Sequence, residues 1–420
     1  MNERSVRLKF LLDSIEQGWS PECDNVTAQD GEWGVLKTGC VNGAVFNPGE
    51  NKRLPAIVDP IPEYEVRPGD VLMSRANTTE LVGSAAYVRE TPPRLLLCDK
   101  LYRLTAKPRV VQPRFLAWFL ASATARSQLE PEATGTSGSM QNIGQDTVRD
   151  LWMPMLAYSQ QVGVADYLDL ETARLDALVA AKGRVLGLLA EKRRALITRA
   201  VTRGLDPRAP LRDSGIPWLG EIPAHWGAQR VAWLFRERDE RGEPDLPLLE
   251  VSINAGVVLR EFSTDRIEST AADFNTYKVA RTGDVVFNKM RMWQGAVGVV
   301  PQDGLVSPDY TVAAPSGPLS PEYGGCLFRT ERFSAECARR SHGIVWDRLR
   351  LYWDGFRSIE VPLPSQHEQA AIVAYIATAT AKLDALRVAT EQTIALLKER
   401  RAALIAAAVT GRIDVGAAAA

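Results

Sequence analysis

The 420-residue sequence predicts an α+β protein in which two α/β domains alternate with two long antiparallel helices that form a coiled coil. Three observations favour this fold class. A segment with helical composition over about residues 160–203 recurs without a gap over about residues 368–410. Leucines recur in both copies at heptad spacing. Each copy also follows a stretch with several short apolar runs. The chain is therefore predicted to be an internal repeat with pseudo-two-fold symmetry.

Residues 1–148 are predicted to form the first α/β domain. Short apolar runs broken by proline and glycine are typical of strands; they occur at Val71–Met73, Ala85–Val88 and Leu95–Leu97. The segment PRFLAWFLASATAR predicts a helix over Pro113–Arg126. The small polar residues of Thr134–Ser139 predict a loop.

Residues 149–206 are predicted to contain the first long helix, from about Gln160 to Arg203. The segment is rich in Ala, Leu, Glu, Lys and Arg, which favour helices. One heptad column is filled by Leu168, Leu175, Leu189 and Leu196, and a second column by Leu178 and Val185. This pattern indicates a coiled-coil seam that is interrupted at Lys182.

The second half repeats the first, with a second α/β domain over residues 207–356 and a second long helix within residues 357–415. The differences 383 − 175 and 369 − 161 both give 208, so Leu383 aligns with Leu175 and Gln369 with Gln161. Gly283-Asp284-Val285 likewise corresponds to Gly69-Asp70-Val71. Residues 416–420 (GAAAA) are predicted to be a disordered tail.

Composition indicates a globular protein without a cofactor. The formal net charge is −1, no apolar run reaches transmembrane length, and the N-terminal sequence lacks the core of a signal peptide, so a cytoplasmic protein is expected. The five cysteines are scattered, and the histidines His225, His342 and His367 lack ligand spacing. We therefore expect no disulfide framework, no metal site and no cofactor.

Motifs of common catalytic sites do not occur in the sequence. It contains no GxxxxGK[ST] phosphate loop, no amine-methylation tetrapeptide of the NPPY or DPPY type, no GxSxG elbow and no HExxH helix. Together with the duplication, this favours a binding protein over an enzyme.

Four segments resemble one known family over nearly the whole chain. The helices begin with PMLAYSQQ…ADYLDLETARLDAL and VPLPSQHEQ…AYIATATAKLDAL, and the domains contain GDVLMSRANTTELVG and GDVVFNKMRMWQGAVG. The sequence thereby resembles the specificity subunit of type I restriction–modification systems. It departs from the usual pattern at Leu156–Gln161, where the second copy has the more usual Pro364–Gln369.

The resemblance implies a non-catalytic subunit that gives a larger complex its DNA sequence specificity. Each domain would be a target recognition domain that reads one half of a bipartite site in double-stranded DNA. The two helices would pair antiparallel as a spacer on which two DNA methyltransferase (modification) subunits dock, and restriction subunits would complete the nuclease. No catalytic residue is expected in this chain.

Two other functions stay open at this stage: a stand-alone, sequence-specific DNA-binding regulator, and an enzyme with an unrecognised site. The nearly neutral charge disfavours the regulator, because a protein that binds DNA alone needs many phosphate contacts.

Candidate DNA-binding residues are the polar and basic side chains that follow the Gly-Asp strands, because these side-chain types read base edges or hold phosphates. They are Arg75, Asn77, Thr78, Thr79, Lys100 and Arg103 in the first domain and Asn288, Lys289, Arg291 and Gln294 in the second. The loops Thr134–Ser139 and Arg340–Gly343 are expected to bring backbone amides close to phosphate.

Candidate residues of the spacer and of partner docking are the heptad leucines of both helices, namely Leu175, Leu189, Leu196, Leu383, Leu397 and Leu404. The basic runs Glu191–Arg194 and Glu399–Arg401 are predicted to lie on a solvated face of the helices.

Overall fold

The structure is a computed structural model that describes residues 5–137, 140–260, 274–343 and 349–413. The predicted tail, residues 416–420, lies outside the described residues, as do Gly138 and Ser139 of the predicted loop. The chain divides into two compact units. Unit 1 contains residues 1–183 and 391–420, and unit 2 contains residues 184–390. Each unit holds one domain of mixed α and β structure together with part of both long helices, which confirms the predicted fold class.

Unit 1 contains short strands arranged in several sheets. The central antiparallel sheet has the order β2-β9-β5-β7, and smaller sheets have the orders β4-β3-β8, β10-β11-β6 and β1-β12. The strands are β1 Ser5–Arg7, β2 Leu12–Gln17, β3 Gly34–Leu36, β4 Asn51–Arg53, β5 Val71–Ser74, β6 Ala76–Asn77, β7 Ala85–Tyr87, β8 Leu95–Leu96, β9 Leu101–Ala106, β10 Thr134–Ser137, β11 Met140–Asn142 and β12 Trp152–Pro154.

Short helices α1 (Pro113–Leu120), α2 (Ala123–Leu129) and α3 (Gln145–Asp150) accompany these sheets. A single helix was predicted over Pro113–Arg126, and this prediction is wrong. The helix ends at Leu120, and a new one begins because the Ser122 hydroxyl accepts a hydrogen bond from the Ala125 amide at 3.3 Å.

Unit 2 repeats the central sheet with the order β16-β23-β20-β21, and its remaining strands form the pairs β13-β14, β15-β24, β17-β18 and β19-β22. The helices of this domain are α5 Pro321–Phe328, α6 Glu331–Arg340 and α7 Trp353–Arg357. The strands are β13 Leu211–Asp213, β14 Glu221–Pro223, β15 Gly227–Arg230, β16 Phe235–Arg238, β17 Leu249–Ser252, β18 Gly256–Leu259, β19 Lys278–Ala280, β20 Val285–Asn288, β21 Val297–Val299, β22 Gly304–Val306, β23 Tyr310–Pro315 and β24 Glu360–Leu363.

The repeated Gly-Asp motif forms the same turn in both domains. Asp70 accepts a hydrogen bond from the backbone amide of Arg67 at 3.0 Å, and Asp284 accepts one from Arg281 at 2.8 Å. The preceding glycine has a φ of 104° in the first domain and 86° in the second, a conformation that side chains other than glycine rarely adopt. The motif therefore starts the buried strands β5 and β20.

The two long helices are α4 (Tyr158–Arg203) and α8 (Gln366–Val409), and they pack against each other. In unit 1, Leu168 and neighbouring residues of α4 share a core with Val409 and its neighbours in α8. In unit 2, Val201 of α4 shares a core with Ile376 of α8. The start of α4 thus packs against the end of α8, and the end of α4 against the start of α8, which is the predicted antiparallel arrangement.

One of the two predicted heptad columns is wrong. The first column is inside, because Leu168 and Leu175 are buried and Leu189 and Leu196 are half-buried. Leu178 and Val185, however, are 50% and 40% exposed. Positions four residues after the first column turn inward instead; they are Thr172, Val179, Leu186 and Arg193. Because this column includes Thr and Arg, its apolar pattern is weak.

The leucines predicted for the spacer lie in or beside this seam. Leu175 and Leu383 are buried, and Leu189, Leu196, Leu397 and Leu404 are half-buried. The exposed leucines of the long helices are different ones, Leu170, Leu178, Leu188, Leu386 and Leu396.

Candidate nucleic-acid interface

In unit 1, the polar loop after β5 lies beside the hairpin formed by β10 and β11. Strand β11 pairs with β6, which places Gln141 opposite Asn77. The Ile143 amide donates to the Arg75 carbonyl at 2.9 Å, and the Arg75 amide donates to the Lys100 carbonyl at 2.9 Å. Two regions predicted separately from the sequence are thus brought together. The prediction of a loop at Thr134–Ser139 is wrong over Thr134–Ser137, which form strand β10 because β11 pairs with them.

Unit 2 builds the same arrangement with other side chains. The Leu351 amide donates to the Lys289 carbonyl at 2.9 Å, as Ile143 donates to Arg75 in unit 1. His342 and Arg350 form an antiparallel bridge. These two residues fall 208 positions after Thr134 and Asn142, which form the corresponding pair in unit 1. Each loop and the described residues of its paired segment form a candidate interface, called a reading surface below. It consists of residues 75–79, 134–137 and 140–142 in unit 1, and of residues 288–294, 342–343 and 349–350 in unit 2.

The backbone of the unit 1 loop is fixed by hydrogen bonds within the loop and from helix α2. The Asn77 side-chain oxygen accepts from the Thr78 amide at 2.9 Å, and the Thr78 carbonyl accepts from Val82 at 2.9 Å. Arg126 of α2 donates to the carbonyl oxygens of Thr79 and Val82. The side chains of Thr78 and Thr79 are exposed. The loop therefore presents polar side chains on a fixed backbone.

Two polar atoms of this loop are buried without a hydrogen-bond partner among the described residues: Arg75 Nε and Asn77 Nδ2. The Arg75 guanidinium lies 5.9 Å from the centre of the Tyr102 ring, and the Tyr102 hydroxyl donates to the Ile143 carbonyl at 3.1 Å. A buried donor without an acceptor costs about 1–3 kcal/mol.

Arg103 occupies a different environment from Arg75. Its side chain is only 14% exposed, and it donates to the Glu65 carbonyl at 2.8 Å and the Glu63 carbonyl at 3.5 Å. Its Nε lies 3.3 Å from the Asp70 carboxylate. These contacts give Arg103 a structural role at strand β9, whereas Lys100 is exposed at the edge of the loop.

The loop of unit 2 also combines fixed and exposed residues. The Asn288 side-chain oxygen accepts from the Met290 amide at 2.9 Å, and Lys289 donates to the Pro308 carbonyl at 3.3 Å. Burial, followed by repulsion from Lys278, lowers the pKa of Lys289. The side chains of Arg291 and Gln294 are exposed. These two residues are therefore the predicted contacts best placed to meet a ligand in this unit.

The hairpin strands contribute residues that the sequence prediction missed. Met140 is 43% exposed, and Gln141 and Asn142 follow it along β11. In unit 2 the corresponding surface includes Arg350 and also His342, which lies within the predicted loop Arg340–Gly343. The available signal was the 208-residue offset, which aligns Thr134 and Asn142 with His342 and Arg350.

Other kinds of site were searched for in the part of the chain that the structure describes. Within it, no group of three or more His, Cys, Asp or Glu side chains could hold a metal ion. Nor is any helix of those residues both long and apolar enough to cross a membrane.

Solved structures define the class of fold. The chain matches a chain from a structural study of complex assembly and conformational transition in a type I R-M system, with a TM-score of 0.70, 16% identity and coverage of 98% of this chain and 99% of that chain. It also matches the HsdS subunit from Thermoanaerobacter tengcongensis, with a TM-score of 0.55, 17% identity and coverage of 98% and 97%. The chain therefore has the fold of a type I specificity subunit.

Sequence comparison adds one particular relative. The chain is 31% identical over 144 residues to the type I restriction enzyme EcoEI specificity subunit of Escherichia coli. The match covers 34% of this chain and 24% of that protein, so it spans about a quarter of the relative's length. No protein-family model matches the sequence. The resemblance to type I specificity subunits that was predicted from the sequence is confirmed by these matches.

Proposed function

We propose that this chain is the non-catalytic DNA-specificity subunit of a type I restriction–modification complex. Each domain reads one half of a bipartite site in double-stranded DNA, and the two long helices set the gap between the halves. Two modification subunits dock on the helices, and restriction subunits join them to form the nuclease. The complex acts in the cytoplasm, where the host DNA lies.

The observation that supports this proposal best is the repetition of the reading surface. In both domains, a loop after the buried strand and a hairpin meet through the same backbone hydrogen bond, Ile143 to Arg75 and Leu351 to Lys289. The exposed side chains nevertheless differ between the domains. A loop attached through a corresponding backbone hydrogen bond but carrying different polar side chains suits two readers of different short sequences.

The side chains on these surfaces have the chemistry that base recognition requires. Arginine can donate two hydrogen bonds to guanine, and asparagine or glutamine can pair with adenine in the major groove. Arg75 supplies such a group in unit 1, where the Asn77 amide oxygen is bound within the loop, and Arg291 and Gln294 supply such groups in unit 2.

The formal net charge of −1 implies that much of the DNA affinity comes from the modification subunits. We therefore expect the isolated chain to bind its site weakly and the complex with modification subunits to bind it tightly. Fluorescence anisotropy at two salt concentrations measures both affinities. Tight, sequence-specific binding by the isolated chain would favour the stand-alone regulator instead.

The decisive experiment is methylome sequencing of a host that expresses the complete system. Replacing residues 207–356 with the corresponding domain of another such subunit should change one half of the methylated sequence and leave the other half intact. A finer variant, Arg291→Ala with Gln294→Ala, should relax specificity within that same half. Arg230→Ala is the matched control, because Arg230 is an exposed arginine that pairs with Glu360 and lies outside the reading surface. A change in both halves would refute the proposal.

A further inference from the structure

Two ion pairs between α4 and α8 are related by the internal repeat. In unit 2, Arg193 lies 2.7 Å from Asp384. In unit 1, Arg401 lies 3.0 Å from Asp176. Both the arginines and the aspartates are 208 positions apart in the sequence. The prediction that the basic runs lie on a solvated face is therefore wrong for Arg193 and Arg401, because each is half-buried and reaches across to the other helix.

We propose that these two Arg–Asp pairs fix the register of the antiparallel helices and thereby select the gap between the two DNA half-sites. The fixed register depends only on contacts between the helices, whereas its effect on the gap rests on the proposed function. The four residues act as positioning residues, because they touch neither DNA nor a reacting group in this proposal.

A common register is visible in the residue numbers. The numbers of the two partners add to 577 in both pairs, so the same antiparallel alignment satisfies both. The apolar seam specifies this alignment weakly, because a heptad pattern also permits a slide by seven residues. The seam contains Thr172 and Thr380, and it is interrupted at Lys182 and Thr390.

A slide by seven residues would break at least one of the two pairs. In one direction, Arg193 would face Ala377, and Arg401 would face Asp169. The Asp169 carboxylate already accepts hydrogen bonds from Arg114 at 2.8 Å and Trp118 at 2.9 Å. In that direction the slide therefore removes one pair and crowds a carboxylate that is already bound.

In the other direction, Arg401 would face Gly183, and Arg193 would face Glu391. Asp176 and Asp384 would then face Ala408 and Ala200, which are buried alanines of the seam. A carboxylate that faces a buried alanine has no partner on the opposite helix, so this register is disfavoured. Polar seam residues specify the register of coiled coils in the same way.

The pairs are better suited to choosing a register than to adding stability. The side chains of Arg193 and Asp384 are 40% and 47% exposed, and those of Arg401 and Asp176 are 19% and 46% exposed. Partly exposed ion pairs contribute little net stability. Arg401 has further contacts, since it donates to the Gly43 carbonyl at 3.1 Å and lies 6.0 Å from the Trp118 ring centre.

Charge reversal tests the proposal in the full-length chain. The one-helix variant carries Asp176→Arg and Arg193→Asp, which places like charges together in both pairs. The two-helix variant adds Asp384→Arg and Arg401→Asp, which restores opposite charges in the native register. Spin labels at the exposed positions Arg174 and Ala403, whose numbers also add to 577, report the register within unit 1. The half-buried Cys23 and Cys326 are replaced by serine before labelling.

Double electron–electron resonance then measures the distance between the two spin labels, which reports the register. Methylome sequencing measures the gap between the methylated half-sites. We expect the one-helix variant to displace the two labels relative to each other by about 10 Å along the helix axes, the length of seven helical residues, and thereby to lengthen or broaden the distance between them. Methylation at the native gap should fall about ten-fold. The two-helix variant should restore both readouts.

An unchanged distance in the one-helix variant, or a failure of the two-helix variant to restore it, would overturn the inference about register. A shifted register with an unchanged gap would overturn the link to the gap. A bipartite site that is absent from the methylome of the unmodified system would instead overturn the proposed function and leave the register result standing.

Discussion

Replacing the buried Gln369 with methionine is expected to destabilise unit 2 by about 3–5 kcal/mol. Gln369 lies in the first turn of α8, and its side chain is 1% exposed. Its oxygen accepts from the Ser320 amide at 2.7 Å, and its nitrogen donates to the carbonyl oxygens of Pro318 and Pro364 at 3.0 Å each. This side chain thereby connects the helix to the segment that leads into α5.

The magnitude follows from the three hydrogen bonds. Each neutral bond contributes about 1 kcal/mol net, and buried partners left unpaired add to the loss. Methionine has nearly the same volume as glutamine, so the loss reflects hydrogen bonding rather than a cavity. Since a domain is typically stable by only about 5–15 kcal/mol, the change is large.

Hydrogen exchange followed by mass spectrometry in a urea series measures the loss separately in each unit. The expected result is reduced protection in unit 2, including the segment around Ser320, and unchanged protection in unit 1. Gln161→Met should give the reverse pattern, because Gln161 makes the corresponding bonds to Gln112, Val110 and Leu156 in unit 1. Gln366→Met, at an exposed position of the same helix, is the control. A loss below about 1 kcal/mol for Gln369→Met would refute the reasoning.

Three further predictions follow from contacts in the same structure. Burial alone would raise the pKa of the Glu368 carboxyl, but hydrogen bonds from His225, Trp226 and Ser365 outweigh this effect and lower the pKa to about 2. The stability that the ionised Glu368 adds should therefore be present above its unfolded pKa of about 4.3 and be lost as the pH falls towards 2. Glu368→Gln should therefore lower the melting temperature of unit 2 at pH 7 and not at pH 2, and equal losses at both pH values would contradict this. Leu168→Ala, at a buried seam position, should cost about 2–5 kcal/mol in urea denaturation, whereas Leu178→Ala should cost no more than about 0.5 kcal/mol; similar costs would mean that the assigned seam is wrong. Arg103→Ala should destabilise unit 1 by about 2 kcal/mol in thermal denaturation, and Arg75→Ala should leave its stability intact but lower methylation of the native site about ten-fold; a stability loss for Arg75→Ala as large as that for Arg103→Ala would count against a DNA role for Arg75.

The long helices were predictable because their signals are local and repeated. They begin at Tyr158 and Gln366, two residues before the positions expected from the sequence, Gln160 and Glu368. The facing column of the seam was not predictable from leucines alone. Thr172 and Arg193 turn inward because the Thr172 hydroxyl bonds to the Leu168 carbonyl at 2.6 Å and Arg193 reaches Asp384.

The reading surfaces were only partly predictable, because they depend on contacts between distant segments. The loop around Arg75 could be located from its polar residues after a buried strand. Thr134–Ser137 have the composition of a loop, yet they form a strand because a neighbouring strand pairs with them. Arg103 has the same side chain as Arg75, and only the folded chain shows that the carbonyls of Glu63 and Glu65 bind it.

The anchoring glutamines have a consequence for sequence change. Gln161 and Gln369 bind main-chain atoms of the domain segments Val110–Gln112 and Pro318–Ser320. Every peptide supplies an equivalent carbonyl, and every residue except proline supplies an equivalent amide. The helices can therefore hold a domain whose surface side chains have been exchanged, provided that its backbone follows the same path. Mutation or recombination can thus alter what the domain recognises without requiring a matching change in the attachment.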